Sequence, residues 1–307
     1  TYLDALNEAL DEALSADPRV FLLGEDIGVY GGGFGVTKGL QQKHGAERVR
    51  DTPISESAIA GVAVGAAMTG LRPVMELQFS DFITVAMDQL VNQAAKIHYM
   101  YGGAASVPMV MRTAGGSGTG AAAQHSQSLE NWMAHIPGLK VIQPSNAYDA
   151  KGLLHAAIED ENPVMFYEHK LLYKTAMAVP EEKYVLPIGV ADVKREGQDV
   201  TVIATGIMVG RALEAAQLLS QKGISVEVVD PRTLVPLDTR TLLESVSKTR
   251  RVVVMTEAVK NSGFSAELTS VIAESAVSSA LLHPVIRLGG EFVPMPAQKQ
   301  LEHMATP

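Results

Sequence analysis

Short, unbroken apolar runs alternating with amphipathic helical stretches constrain this 307-residue chain more than any other feature. Leu3, Leu6, Leu10 and Leu14 recur at helical spacing behind Thr1, a residue suited to cap the helix, and an apolar run over 20–23 follows. Further runs near 48–51, 72–77, 108–113, 140–142 and 164–168 alternate with helical stretches near 56–69, 81–98 and 146–159. A run such as Met109-Val110-Met111 has no polar face, so it needs cover on both sides, and a parallel sheet between two layers of helices provides it. The alternation lapses between His169 and Pro187, where Pro180, Pro187 and the consecutive acids Glu181 and Glu182 interrupt it. Beyond that stretch, runs near 200–204, 225–229, 252–255 and 285–288 alternate with helices near 209–222, 238–248 and 264–276. The expected fold is α/β with two domains, each a mostly parallel sheet flanked by helices. The first covers 1–175, a linker 176–188, and the second 189–307.

A net charge of −9 removes the attraction that draws proteins to nucleic acid or anionic lipid, so neither is an expected partner. The first 180 residues hold 12 basic and 19 acidic groups and the remainder 13 and 15, so the excess acid lies in the first half. That half would repel a phosphorylated ligand unless a cation came from elsewhere. The chain has no cysteine, which excludes disulfides, thiolate metal sites and a cysteine nucleophile and fits an intracellular enzyme. No apolar run reaches the roughly 18 residues a membrane span requires, so a soluble protein is expected. The sequence starts at Thr1 without a Met, as expected of a chain trimmed at an end.

Two glycine-rich segments stand out, Gly31-Gly32-Gly33-Phe34-Gly35 and Gly115-Gly116-Ser117-Gly118-Thr119-Gly120. Neither ends in the Gly-Lys-Ser/Thr of a phosphate loop, and no clear acidic ribose contact follows the second, so both are read as flexible loops bordering a cleft. Asp51-Thr52-Pro53-Ile54-Ser55-Glu56 leads into a helix rich in Gly and Ala, with Ser55 placed to cap it. Small residues on every face suit a helix buried at an interface. Glu56 has two readings: a first-turn carboxylate favoured by the helix dipole, or a buried acid that exchanges a proton with a ligand. His125, in a glycine-flanked turn, reads either as a hydrogen-bonded loop residue or as a group facing a cleft. The other histidines lack metal-ligand spacing, and no Gly-x-Ser-x-Gly elbow marks a serine hydrolase.

The run from Asp51 to Glu56, continued by Gly61, Gly65-Ala66-Ala67 and Gly70-Leu71-Arg72-Pro73, resembles the beta subunit of the thiamine-diphosphate-dependent first component of 2-oxo acid dehydrogenase complexes. The resemblance extends through Asp88-Gln89, Ala94-Ala95-Lys96, Ala122-Ala123-Gln124-His125-Ser126-Gln127 and Pro137-Gly138-Leu139-Lys140. It resumes at Asp230-Pro231-Arg232-Thr233-Leu234 and Val293-Pro294-Met295-Pro296, and so covers essentially the whole chain. It implies a pyrimidine-binding transketolase-like domain followed by a transketolase C-terminal domain. Glu56 matches the acid that contacts pyrimidine N1′ and so activates the cofactor, and Phe82 the aromatic on which the pyrimidine stacks. His125 matches a histidine over the thiazolium side of the cleft, and Gln78 a variable position near the ring.

The Gly-Asp-Gly segment ending in Asn that binds magnesium and diphosphate in this superfamily does not occur here. The resemblance assigns that half of the site to an alpha subunit, in an α2β2 assembly that serves a lipoyl-bearing acyltransferase. It also implies a monovalent cation, potassium, held by main-chain and side-chain oxygens at Met109, Ala157, Ile158, Asp160 and Asn162. The implied location is cytoplasmic in a bacterium or the matrix in a mitochondrion, and relatives that run past Pro307 imply a further C-terminal piece. Pyruvate is the expected substrate. Arg112-Thr113, Ser126-Gln127-Ser128-Leu129 and Pro144-Ser145-Asn146 lean toward the acetoin-cleaving relative, and a branched 2-oxo acid is a further alternative. A non-catalytic scaffold would not need Glu56, Phe82 and His125 together.

Overall fold

The computed structural model describes residues 1–307. Two sheets carry twelve strands: β1 (Val20–Gly24), β2 (Val49–Asp51), β3 (Arg72–Leu77), β4 (Val110–Gly115), β5 (Lys140–Ile142), β6 (Val164–His169), β7 (Asp192–Arg195), β8 (Val200–Ala204), β9 (Val226–Asp230), β10 (Thr233–Val235), β11 (Val252–Val259) and β12 (Ile286–Gly290). The first sheet has the order β10-β5-β6-β4-β3-β1-β2 and the second β12-β11-β8-β9-β7. All pairings are parallel except the edge strands β10 on β5 and β7 on β9. Strands β1, β4 and β6 are buried along their whole length and show no alternation; the charges buried in them are paired, Arg112 of β4 with Glu76 and with Glu168 of β6.

The first helix, Tyr2–Ala16, begins with a capping box: Thr1 Oγ1 accepts from the Asp4 amide, and the Asp4 carboxylate reaches back to the Thr1 backbone. Ser55 differs from expectation. It sits at the N-cap of helix Glu56–Met68 with φ −162° and ψ 85°, and its side chain makes no cap hydrogen bond. The small-residue helix is also buried on one side only. Ile59, Ala60, Ala63, Val64 and Ala67 face the core, whereas Ala58, Val62 and Gly65 are exposed.

The expected helix over 81–98 is a composite. A 3-10 turn (Ser80–Phe82) leads into α-helix (Ile83–Asp88), a π-helical stretch (Gln89–Ala94) and a last α-helical segment (Ala95–Met100). Gly61 lies against the π stretch, where a Cβ would stand 3.5 Å from Gln89 Oε1. β10 is the unforeseen link between the two halves: it follows β9 of the second sheet in the chain but pairs with β5 of the first. A single apolar cluster likewise spans both halves, from Leu23, Met75 and Met111 through Met133 and Leu139 to Leu234, Leu242 and Phe264.

Candidate active site

In an open parallel sheet, ligands bind beyond the carboxyl ends of the strands. At that end lie Glu25 after β1, Gln78 and Phe79 after β3, the second glycine loop after β4, and Lys170 after β6. Glu56 opens the helix that follows β2 and is buried. No donor of this chain reaches its carboxylate. Glu25 is equally buried, and burial raises its pKa, with further upward pressure from the charges of Glu56 and Asp26. The next residue ties this helix to the aromatic segment, since Ser57 Oγ donates to the Val85 carbonyl at 2.6 Å.

The structure brings Phe82 and His125 together. Their rings stand 5.4 Å apart at 85°, and Phe79 meets the imidazole at 4.7 Å and 86°. Phe34, from the first glycine segment, packs edge-on against Phe79 at 5.5 Å. That segment runs over Gln78, and a Cβ on Gly33 would come within 3.1 Å of Gln78 Nε2. Glu56, Gln78, Phe82 and His125 therefore all lie at one end of one sheet.

Several residues that fix this cluster lay outside the sequence reading. Asp81 accepts from Gln127 through both its amide (3.2 Å) and its side chain (2.8 Å), and Ser80 Oγ donates to the Gln127 carbonyl at 2.8 Å. Lys170 is buried beneath the loop, donates to the His125 carbonyl and lies 5.6 Å from the Phe79 ring centroid. Burial lowers its pKa, against the pull of Asp81, Glu257 and Glu302. The signal available in the sequence was position alone, each residue standing just past an apolar strand run.

The second glycine loop is anchored, where a free flexible loop was expected. Glu257, from β11 of the second sheet, accepts from Ser117 Oγ at 2.6 Å, the Ser117 amide at 3.2 Å and His169 Nε2 at 2.8 Å. The Leu171 amide donates to His169 Nδ1, which leaves the ring proton on Nε2 for Glu257. Burial alone would raise the Glu257 pKa, but His169 and Ser117 together hold it down to about 2. The Gly118 amide donates to Glu302 at 2.7 Å and the Gly120 amide at 3.1 Å. The amides that would cradle a phosphate are thus taken by carboxylates of the chain itself.

The five residues of the implied cation site also meet, at the opposite end of the sheet. Arg72 donates to the carbonyls of Ile158 (2.9 Å) and Asp160 (3.1 Å), and Lys140 pairs with the Asp160 carboxylate. The amide and side chain of Asn162 donate to Asp160 Oδ1, each at 2.8 Å. Met109 contributes a carbonyl that accepts from the Val164 amide at 2.9 Å, whereas no main-chain amide donates to the carbonyls of Ala157 or Asn162. Both Asp160 carboxylate oxygens are engaged within the turn, by Lys140 and Asn162, whereas Asn162 donates through its amide nitrogen and leaves its Oδ1 without a partner.

The family "Transketolase, pyrimidine binding domain" matches residues 1–175 and "Transketolase, C-terminal domain" matches residues 189–307. The chain is 49% identical over 304 residues to the 2-oxoisovalerate dehydrogenase subunit beta of Bacillus subtilis, covering 98% of this chain and 93% of the relative. It is 48% identical to the mitochondrial pyruvate dehydrogenase E1 component subunit beta-2 of Oryza sativa subsp. japonica, covering 100% and 82%. Identity to the acetoin:2,6-dichlorophenolindophenol oxidoreductase subunit beta of Bacillus subtilis is 47%, covering 99% and 92%. Among solved structures, a split-gene transketolase described as an inactive beta4 tetramer superposes with a TM-score of 0.80 at 25% identity, covering 99% of this chain and 93% of that one. The chain belongs to the beta subunits of the first component of 2-oxo acid and acetoin dehydrogenases, a family built on the transketolase fold.

Proposed function

We propose that this chain supplies the pyrimidine half of a thiamine diphosphate site that an alpha subunit completes in an α2β2 assembly. The observation that carries the reading is Glu56: a residue 8% exposed whose carboxylate has no partner in its own chain, at the ligand end of the sheet, on a helix that Ser57 ties to the segment following Phe82. The Glu56 carboxylate oxygens are not sealed from solvent, so they are open to an incoming ligand. The cofactor, when bound, supplies the electron sink that carbon–carbon bond cleavage beside a carbonyl requires. Glu56 would hold the pyrimidine at N1′ through a shared proton, Phe82 would offer its ring an apolar face, and Gln78 would line the pocket.

The diphosphate half comes from the partner in this reading, together with its magnesium, because both glycine segments are committed to other contacts. Val29 (91% exposed), Tyr30 (73%) and Ile54 (81%) flank the first glycine segment and Glu56, an apolar rim suited to be covered by another subunit. His125 belongs to the later half-reaction, in which an opened dithiolane on a lipoyl-bearing acyltransferase leaves a thiolate that must be protonated. The free carbonyls of Ala157 and Asn162 support a potassium ion at the far end of the sheet, which would raise thermal stability in potassium above that in a large organic cation.

Pyruvate is the proposed substrate, supported by the rice relative, and the reaction is its oxidative decarboxylation with acetyl transfer to the lipoyl group. Turnover by the assembled α/β pair with pyruvate, 2-oxoisovalerate and acetoin tests it. A kcat/KM for pyruvate at least about 10-fold above both others is expected, and a preference for either competitor overturns the assignment. Calorimetry tests the split site: tight magnesium-dependent binding of thiamine diphosphate to this chain alone would contradict it.

A further inference from the structure

The loop between β4 and His125 is held from three sides, and one hold comes from the far end of the chain. Its start is fixed where Ser117 meets Glu257, and its end where Lys170 meets the His125 carbonyl and Asp81 meets Gln127. Between these points Gly118, Thr119 and Gly120 are exposed and bury no apolar side chain. What grips this tip is the Glu302 carboxylate, itself only 3% exposed, on the short helix Lys299–Ala305.

The tip is shaped to receive it. Gly118 and Gly120 have φ of +98° and +69°, and alternating left-handed glycines turn successive amides toward one point, where a carboxylate accepts them. Glu302 takes the Gly118 amide at 2.7 Å and the Gly120 amide at 3.1 Å. A side chain at either glycine would be strained by the positive φ; a Cβ on Gly118 would also lie 2.3 Å from Leu171 Cδ1, and one on Gly120 3.3 Å from the Ala297 carbonyl. Two residues after Gly120 the chain reverses at Ala122 (φ +62°), whose carbonyl accepts the His125 amide at 3.3 Å. A shift of the tip therefore passes directly to the imidazole.

We propose that Glu302 is a positioning residue for the acyl-transfer half-reaction, its carboxylate latching the glycine loop so that His125 is held at the cleft. This rests on the reading of His125 given above. The cost of a misplaced catalytic group falls on the rate of the step and leaves ligand binding intact, which separates positioning from general damage.

The test compares Glu302→Gln, Glu302→Ala and His125→Ala in the assembled α/β complex with thiamine diphosphate. Hydrogen exchange of the peptide spanning 116–125, proton exchange at the cofactor C2, and reductive acylation of a free lipoyl domain are measured. Glu302→Ala should speed loop exchange by at least about 10-fold and lower the acylation kcat by about 10-fold, with KM for the lipoyl domain and C2 exchange within about twofold of wild type. Glu302→Gln, which keeps one acceptor, should fall between. Tip amides that exchange in the wild type as fast as free loop amides overturn the latch without any variant. So does an unchanged acylation rate in Glu302→Ala, or a parallel loss of both half-reactions. If His125→Ala acylates the lipoyl domain normally while Glu302→Ala does not, the His125 reading fails and the latch stands.

Discussion

Glu56 and Glu257 are both largely buried acidic side chains near the strand-end loops of the first sheet, and they are treated in opposite ways. Glu257 comes from the second sheet and accepts hydrogen bonds from His169, Ser117 and Ser128. Glu56 comes from the first sheet's side and finds no donor in its own chain. The saturated carboxylate holds a loop, so its energy is spent on the fold. The other has no hydrogen-bond donor within its own chain, so its lone pairs are open to a ligand. Burial alone marks both residues; the count of partners separates structure from chemistry.

The comparison breaks first at Glu56. Glu56→Gln should leave assembly and thermal stability near wild type while slowing cofactor C2 proton exchange in the α/β complex by at least about 10²-fold, since an amide cannot share the pyrimidine proton. Normal exchange in that variant would show that Glu56 is not the activating acid.

Glu257→Gln should do the reverse. Its pKa is depressed to about 2, below the unfolded value, so its contribution is fully present above the unfolded pKa and is lost as pH falls toward 2. The variant should lose on the order of 2–3 kcal/mol of unfolding free energy at neutral pH, and the gap to wild type should close progressively below about pH 4. Denaturant titrations across pH 3 to 7 check both the size and the slope. A gap independent of pH would mean that the hydrogen-bond pattern, and not the charge, is what Glu257 contributes.

Local patterns announced much of this architecture. The apolar runs located strands such as β1, β4 and β6 because burial on both faces leaves no alternation to confuse them, and Thr1 was legible as a cap because it stands just before the first helical repeat. β7 and β10 were missed because both are short antiparallel edges, and β10 lies next to Pro236 in a segment that looked like a motif and not a strand. The site divided the same way. Glu56, Phe82 and His125 carried recognisable surroundings, but Lys170, Glu257 and Glu302 act on the His125 loop from 45 to 184 residues away. Pairings of that range are set by how sheets dock, which no local periodicity records. Ser55 shows the converse error: the residue type suited a cap, and the extended approach through Pro53 did not place its hydroxyl to make one.

Glu130 sharpens the comparison with the smallest effect, because it is a third buried carboxylate and is neither free for a ligand nor well paired. It opens the short helix Glu130–Ala134 with 2% of its surface exposed. Burial, joined by repulsion from Glu257, raises its pKa to about 7, while its own main-chain amide and Gln143 pull the other way. The sign is opposite to that of Glu257. A folded pKa above the unfolded value means that the contribution is intact at low pH and is lost as pH rises from about 4.3 through 7. Glu130→Gln mimics the protonated acid, so it should match wild type near pH 4.5 and exceed it at pH 8 by on the order of 1–2 kcal/mol. Activity of the assembled complex should be unaffected, since nothing places Glu130 in contact with the Phe82 and His125 cluster. Unfolding curves at the two pH values decide: a variant that is weaker at both would show that the Glu130 carboxylate is charged and satisfied in the native protein, and would move it into the same class as Glu257.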